Sequence, residues 1–269
     1  MLAVTQLSGF GGGGRLKLIS ILRSLNLTSG LLFCLDAGDS DSYSGTGQTW
    51  NDVSGSANHF NRGTTSGSDS TDPTFNGSAG ALSESEYFSS DGGDFFRLAS
   101  GTFDDGWSQN NGAYTFLVVA WPDSFAANVS LFGNCSNASR HDGTTAYFNT
   151  SEKVSHNIDT ADAAGTSTNN STASAVAQKP NLVIVGWDEA TPTGKIKLNA
   201  NALQTPSWSA STLTNAAGTL EILASGAGQN IAPASTRVYM AAAWSSLLSD
   251  ASIDALAQTL RNTRFPNMP

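Results

Sequence analysis

Three groups of side chains in this chain have the types and spacing to do chemistry. Asp36, Asp39 and Asp41 fall within six residues and are followed by Gly45, and carboxylates with loop carbonyls are what calcium binds. The run is not a complete EF-hand loop, however, and the commoner use of such residues is to bond nearby amides in turns, so no metal or other cofactor is expected. Glu84-Ser-Glu86 is the nearest approach to the two carboxyls, about 5 to 9 Å apart, that glycoside hydrolysis needs. Glu152, Glu189 and Glu221 stand alone and read as solvated. Trp50, Asp52 and Asn58 combine an indole face with polar groups that suit a pyranose; their structural alternative is to pin the first strand to its sheet. Trp107, Trp121, Trp187 and Trp244 sit in strand patterns and read as core, whereas Trp208, in Pro206-Ser-Trp-Ser, lies in a loop and is the expected exposed carbohydrate contact.

Other chemistries lack their residues. His59, His141 and His156 have no Cys or Asp partner at metal spacing, and no Gly-x-Ser-x-Gly elbow accompanies any serine. Gly11 to Gly14 are not followed by Gly-Lys-Ser/Thr, and no strand precedes them, so they are no phosphate loop. Cys34 and Cys135 either close one disulfide or sit as two small buried hydrophobes. The net charge of −9, without a basic stripe, excludes general nucleic-acid binding. No apolar run approaches the ~20 residues of a membrane span. The segment Leu16 to Leu27 is broken by Lys17 and Arg23 and leads to no cleavage site, so it is no signal peptide, and synthesis in a cytoplasm is expected.

The elements that must position these groups are mostly strands. Turn residues at Asp91-Gly-Gly93, Asp142-Gly143, Thr193-Gly194 and 215–218 separate candidate strands at Leu31–Asp36, Glu86–Ser89, Asp94–Leu98, Ala113–Trp121, Val129–Phe132, Thr145–Phe148, Lys153–Ile158, Asn181–Trp187, Gly194–Asn199, Thr219–Ala224 and Thr236–Trp244. Many short strands punctuated in this way predict a sandwich. Tyr114–Trp121 and Val183–Trp187 are apolar on both faces, which predicts central strands whose second face is also covered, by the terminal helix or a neighbouring chain. The segments 64–83 and 159–178 read as long surface loops. Ser249 is the expected N-cap of a C-terminal helix with Asp250 in its first turn and an apolar stripe of Ile253, Leu256, Ala257 and Leu260. Near the start, Leu18, Ile21, Leu22 and Leu25 fall at helical spacing behind a glycine-jointed arm.

The stretch LLFCLDAGDSDSYSGTGQTWNDVSGSANHF, Leu31 to Phe60, resembles the opening of laminin-G-like, concanavalin A-type sandwiches found in bacterial surface proteins and bacteriophage structural proteins. The likeness continues through Tyr114–Trp121, Val129–Phe132, Asn181–Trp187 with Gly194–Asn199, Thr219–Leu223 and Arg237–Trp244, and ends in Leu247-Leu-Ser-Asp, covering about residues 31 to 263. Where the family's hairpin commonly ends in Asn-Gly, this chain has Asn199-Ala200, so the turn must be built differently. The sandwich β-glucanases carry Glu-x-Asp-x-x-Glu on one strand; Glu84-Ser-Glu86 lacks the third acid.

The resemblance implies an all-β, concanavalin A-like antiparallel sandwich over 31–269, with 1–30 as an arm and short helix. It also implies a non-enzymatic virion part of a phage-like particle: a capsid decoration, head fibre or tail component. Attachment is then expected through Leu7, Phe10, Leu18, Leu22 and Leu25, with homo-oligomeric and other virion partners. The alternative is an adhesin or lectin for host-surface glycans, and a third, weaker reading is a polysaccharide hydrolase or lyase.

Overall fold

In the computed structural model, residues 15–99, 112–136, 143–159, 166–206, 208 and 218–269 are described. Their elements, in chain order, are α1 Leu18–Ser24, β1 Leu31–Asp36, β2 Thr49–Trp50, β3 Phe60–Arg62, β4 Thr74–Asn76, β5 Tyr87–Ser89, β6 Phe96–Leu98, β7 Ala113–Trp121, β8 Val129–Gly133, β9 Thr144–Phe148, β10 Val154–Asp159, β11 Thr166–Asn170, β12 Asn181–Asp188, β13 Thr193–Leu198, β14 Glu221–Ile222, β15 Arg237–Trp244 and α2 Asp250–Thr263. One sheet runs β13-β12-β7-β15-β5-β4, with β1 also paired to β15; the other runs β11-β10-β9-β8-β14-β6-β3-β2. All ladders between these strands are antiparallel. The expected all-β sandwich is the observed fold. Among the described residues no helix is long and apolar enough to cross a membrane.

Strand alternation divides the apolar side chains between two cores. On β7, Tyr114, Phe116, Val118 and Ala120 enter the space between the sheets, where the Phe116 ring stacks on Phe132 of the opposite sheet at 3.7 Å. Leu117 and Val119 point the other way and join Leu182 and Ile184 of β12 beneath the helices. Two-sided burial is what a strand apolar on both faces requires, and the helical layer is the cover that β7 and β12 predict.

That cover comes from α1 and α2. With seven residues, α1 is too short to be stable alone. It ends in a Schellman motif: Asn26 takes a left-handed φ of 57°, and Leu27 N–H donates to Leu22 O at 2.8 Å. Leu18, Ile19, Ile21 and Leu22 are buried with Ile253, Leu256 and Leu260 of α2. Leu18 and Leu22, expected as an assembly contact, are therefore spent inside the chain's own core, and Leu25 packs against the same cluster. The apolar stripe is covered by a helix of the same molecule rather than offered to a second one. Leu7 and Phe10 lie outside the described residues.

Both helices are anchored to one carboxylate at the end of β1. Asp36 Oδ2 accepts the Leu18 N–H at the start of α1 (3.0 Å), while Oδ1 accepts the Gly38 N–H and the Arg264 guanidinium, each at 2.9 Å. Arg264 forms the C-cap of α2 and is fully buried, as is Asp36. Burial pushes the Asp36 carboxyl up, and Arg264 and the two amides pull it back. Gly38 is required beside them, because a Cβ there would stand 2.6 Å from Arg264 Nη2. Asp39 and Asp41 both hold Lys17, at 2.7 and 2.5 Å. The three acids thus brace the helical layer, and among the described residues no group of acids, histidines or cysteines is arranged to hold a metal.

A second polar contact joins the sheets. His156 Nε2 of β10 lies 2.6 Å from the Tyr114 hydroxyl of β7 and 3.3 Å from Thr144 Oγ1 of β9. The ring is fully buried, and burial pushes its pKa down to about 3. Cys34 and Cys135 are separate buried thiols, not a disulfide.

Two stability predictions follow from these contacts. Arg264→Met leaves the buried Asp36 carboxylate unmatched and should cost ~3–5 kcal/mol in urea unfolding. Combining it with Asp36→Asn should cost clearly less than the sum of the two single changes; strict additivity would show that the pair is not coupled. For His156, the folded pKa lies below the unfolded value of about 6.5. Below that pH the unfolded chain binds a proton that the native site refuses. Its contribution is therefore complete above about pH 6.5 and is lost as pH falls toward the folded value. Between pH 6.5 and 4.5 the wild type should lose about 2.3 kcal/mol relative to His156→Gln; a difference that does not change with pH would rule this out.

Candidate functional site

A concavity of the described structure lies between α2 and the turn that follows β13. Ser249 caps α2, accepting the Ser252 N–H on its hydroxyl at 3.2 Å. With its apolar stripe turned to the sheet, the helix presents Asp250, Asp254, Gln258 and Arg261 along its flank, spaced four, four and three residues apart. Opposite stand Lys195 and Lys197, on alternate positions of the edge strand β13. Lys195 Nζ is 2.6 Å from Asp250 and 2.7 Å from the Leu248 carbonyl, and Lys197 Nζ is 2.5 Å from Asp254. These pairs fix the helix against the strand by charge-assisted bonds.

The turn beyond is shaped by Asn199, which takes a left-handed φ of 53° itself instead of leaving it to a following glycine. Its side chain accepts the Leu182 N–H at 2.8 Å and donates to Asn181 Oδ1 at 3.0 Å. Ala200, Ala202 and Ala257 give the groove small walls, and its volume is about 620 Å³. Asn201 and Gln258 expose their amides to it. Arg261 lines one end and makes no ion pair among the described residues. This is a set of donors and acceptors for a polar ligand. No nucleophile stands beside a base here, and both lining carboxylates are matched by lysines.

The residues singled out in the sequence lie elsewhere. Trp208 is a correction: it is 7% exposed and wedged into the core, 5.4 Å from the Trp187 ring and 5.1 Å from His156, centroid to centroid. Its indole N–H edge closes on Gly194, where any Cβ would collide with it at 1.8 Å. Trp50, Asp52 and Asn58 form the strand clip. Asp52 accepts the Cys34 and Asn58 N–H groups at 2.8 and 3.1 Å, and the Asn58 amide donates to the Leu32 carbonyl at 2.8 Å. Glu86 is buried and accepts loop amides from Ser78 and Ser83, while Glu84 faces Asn267. These two acids do not flank a cleft. Glu221, read as solvated, is fully buried and bound to Arg97 at 2.6 Å and to the Gly228 N–H at 2.9 Å. Trp107 and His141 lie outside the described residues. The groove side chains went unnoticed because the second stripe of α2 is polar; the signal that could have found them is Lys195-x-Lys197 on an edge strand facing acids four residues apart on a helix.

No protein-family model matches the chain, and no curated protein sequence does. Solved structures do resemble it. The binding domain of botulinum neurotoxin DC in complex with SialylT aligns with a TM-score of 0.55 and 10% identity over 87% of this chain and 52% of that one. Trypanosoma rangeli sialidase in complex with sialic acid aligns at 0.53 and 12% over 89% of this chain and 37% of that one. The CBM40 of Ruminococcus gnavus IT-sialidase bound to α2,3 sialyllactose aligns at 0.51 and 16% over 64% of this chain and 96% of that one. The chain thus spans about half of the toxin binding domain and under two fifths of the sialidase. Identities this low establish the fold alone: a lectin-like β-sandwich.

Proposed function

We propose that this chain is a glycan-binding module and that the groove between α2 and the Asn199 turn receives the saccharide. The observation that carries this reading is the groove itself: about 620 Å³, within the range of about 300–1,000 Å³ usual for small-ligand sites, with the amide of Gln258 on one wall and that of Asn201, which also donates to the Leu198 carbonyl at 3.0 Å, on the other. Sugar hydroxyls donate and accept at once, so they suit a wall that mixes amides, carboxylates and a guanidinium. The small alanine side chains let a pyranose ring approach the backbone. Lysine pairing holds Asp250 and Asp254 in place, ready to accept hydrogen bonds from sugar hydroxyls. The fold supports the same reading, since related sandwiches were captured with SialylT, sialic acid and sialyllactose. Sialylated and neutral glycans therefore belong together in the first screen.

The test is a glycan array followed by calorimetry on the best ligand. Asn201→Ala with Gln258→Ala removes two hydrogen-bonding amides and should weaken binding roughly tenfold, about 1.4 kcal/mol, with the unfolding midpoint little changed. Undiminished binding by this double variant would move the site off the groove. A blank array with cooperatively folded protein would remove the glycan reading.

A further inference from the structure

The outer face of the first sheet is covered by helices only in part, and one row of side chains beyond their edge has a composition of its own. Strand register places Trp121 of β7, Arg237 of β15, Ser89 of β5 and Thr74 of β4 side by side across four neighbouring strands. Alternation turns this row to the helix side, because Val238 and Phe88, the next residues along, enter the inter-sheet core. The row is not sealed: Trp121, Arg237 and Ser89 are half-buried and Thr74 is exposed.

Arg237 is held in an unusual way. Its Cζ lies 3.8 Å from the centre of the Trp121 ring and 4.5 Å from that of Tyr87, so rings from the two flanking strands clasp the guanidinium. Among the described residues Arg237 makes no ion pair. The guanidinium also hydrogen-bonds the Tyr239 hydroxyl, and because the side chain is only half-buried the rest of the fork reaches the surface. The contrast with the chain's other clasped arginines is clear: Arg264 is matched by Asp36, Arg97 by Glu221, and Arg62 by backbone carbonyls of Gly47 and Pro73. In a chain of net charge −9, Arg237 is a rigid, half-exposed guanidinium that no carboxylate of the described residues pairs.

We propose that the Trp121–Arg237–Ser89–Thr74 row is a second ligand site, in which Arg237 takes the carboxylate of an acidic saccharide in a two-pronged hydrogen bond. Stacking removes the rotamers that a free arginine would lose on binding, so the fork is organised in advance for a planar carboxylate. The indole edge and the hydroxyls of Ser89 and Thr74 continue the row at the spacing of neighbouring strands, about 4.8 Å, and offer contacts to the ring that carries the carboxylate. The proposal rests on the glycan reading for the kind of molecule that brings the carboxylate, but not on the groove.

The test follows the Trp121 indole N–H by NMR, assigned with Trp121→Phe, while folded full-length chain is titrated with a hexuronate oligosaccharide, its neutral counterpart, and sulfate. The expected result is a saturable shift of the Trp121 signal with the hexuronate, absent with the neutral sugar and much weaker with sulfate. Arg237→Lys, which keeps the charge and loses the fork, should weaken it roughly tenfold or more. The spectrum of this variant reports folding directly, and Arg237→Gln gives a second check. Three results would each overturn the proposal: hexuronate binding that leaves Trp121 unmoved and Arg237→Lys unaffected, sulfate binding as tightly as the saccharide, or no binding of any acidic ligand. In the last case, neutral-glycan binding in the groove would leave the glycan reading standing; its absence as well would remove both.

Discussion

The helical layer depends on one buried ion pair, Asp36 with Arg264. The outer face of the first sheet is apolar, with Leu117, Val119, Leu182, Ile184, Met240 and Trp244 all needing cover, and only 7 residues of α1 and 14 of α2 supply helix to cover it. Neither helix would hold its place on a flat apolar surface by hydrophobic contact alone, since that attraction has no direction. Direction comes from Asp36, whose carboxylate meets the first amide of α1 and the last arginine of α2. Trp244 adds a second peg, donating its indole N–H to the Leu27 carbonyl at 2.7 Å. The far end of α2 is set by Lys195 and Lys197. Pinned at both ends, the helix leaves one flank standing off the β13 turn, and that gap is the groove.

Several of the chain's few cations are spent on fastening its own elements together. It has 13 lysines and arginines against 22 acids, and Lys17, Lys195, Lys197, Arg97 and Arg264 are committed to pairs that fasten one element to another. Breaking such a pair leaves a stranded charge, so these contacts specify position more than they add net stability. The surface is left to Ser, Thr, Asn and Gly, which bind polar ligands through neutral hydrogen bonds. Against that background Arg237, stacked between two rings, and Arg261, at the groove, stand outside those pairs.

Much of the fold was legible in the sequence, and the failures have physical causes. β1 and β7 begin and end where their apolar patterns do, and Ser249 caps α2 as its type suggests. β2, β3, β4 and β11 were not read as strands. They are two to five residues long and largely polar, and they exist because a neighbour's backbone needs partners. The segment expected as a loop over 159–178 holds β11, Thr-Ser-Thr-Asn-Asn, which pairs with β10 from Asp159 to Ser155; nothing in its side chains announces that. β14 is shorter than expected because Leu223 turns to a φ of 68°. The candidate sites were harder to read. Trp208 is buried by Gly194, which lies on a hairpin strand, and by His156, more than fifty residues away in sequence. Local context could not show either contact. The strand clip of Asp52 and Asn58, by contrast, was legible because its residues and the strand they hold lie within one continuous stretch.

Both candidate ligand surfaces lie where the helical cover stops. At the β13 edge, the space beside α2 is lined by Lys197 and amides where a covered strand would carry apolar side chains. At the opposite end of the same face, beyond Tyr239, whose ring meets Phe265 just past α2 at 5.3 Å, the sheet carries Trp121, Arg237, Ser89 and Thr74. A sheet face that changes from leucine and valine to stacked and hydroxylated side chains at the limit of its cover has matched its chemistry to exposure position by position. The same constraint that fixes the helices therefore decides where the protein can meet a ligand. Moving α2 by loosening Asp36 and Arg264 would disturb the groove directly, whereas the Arg237 row, built on strands alone, would keep its geometry.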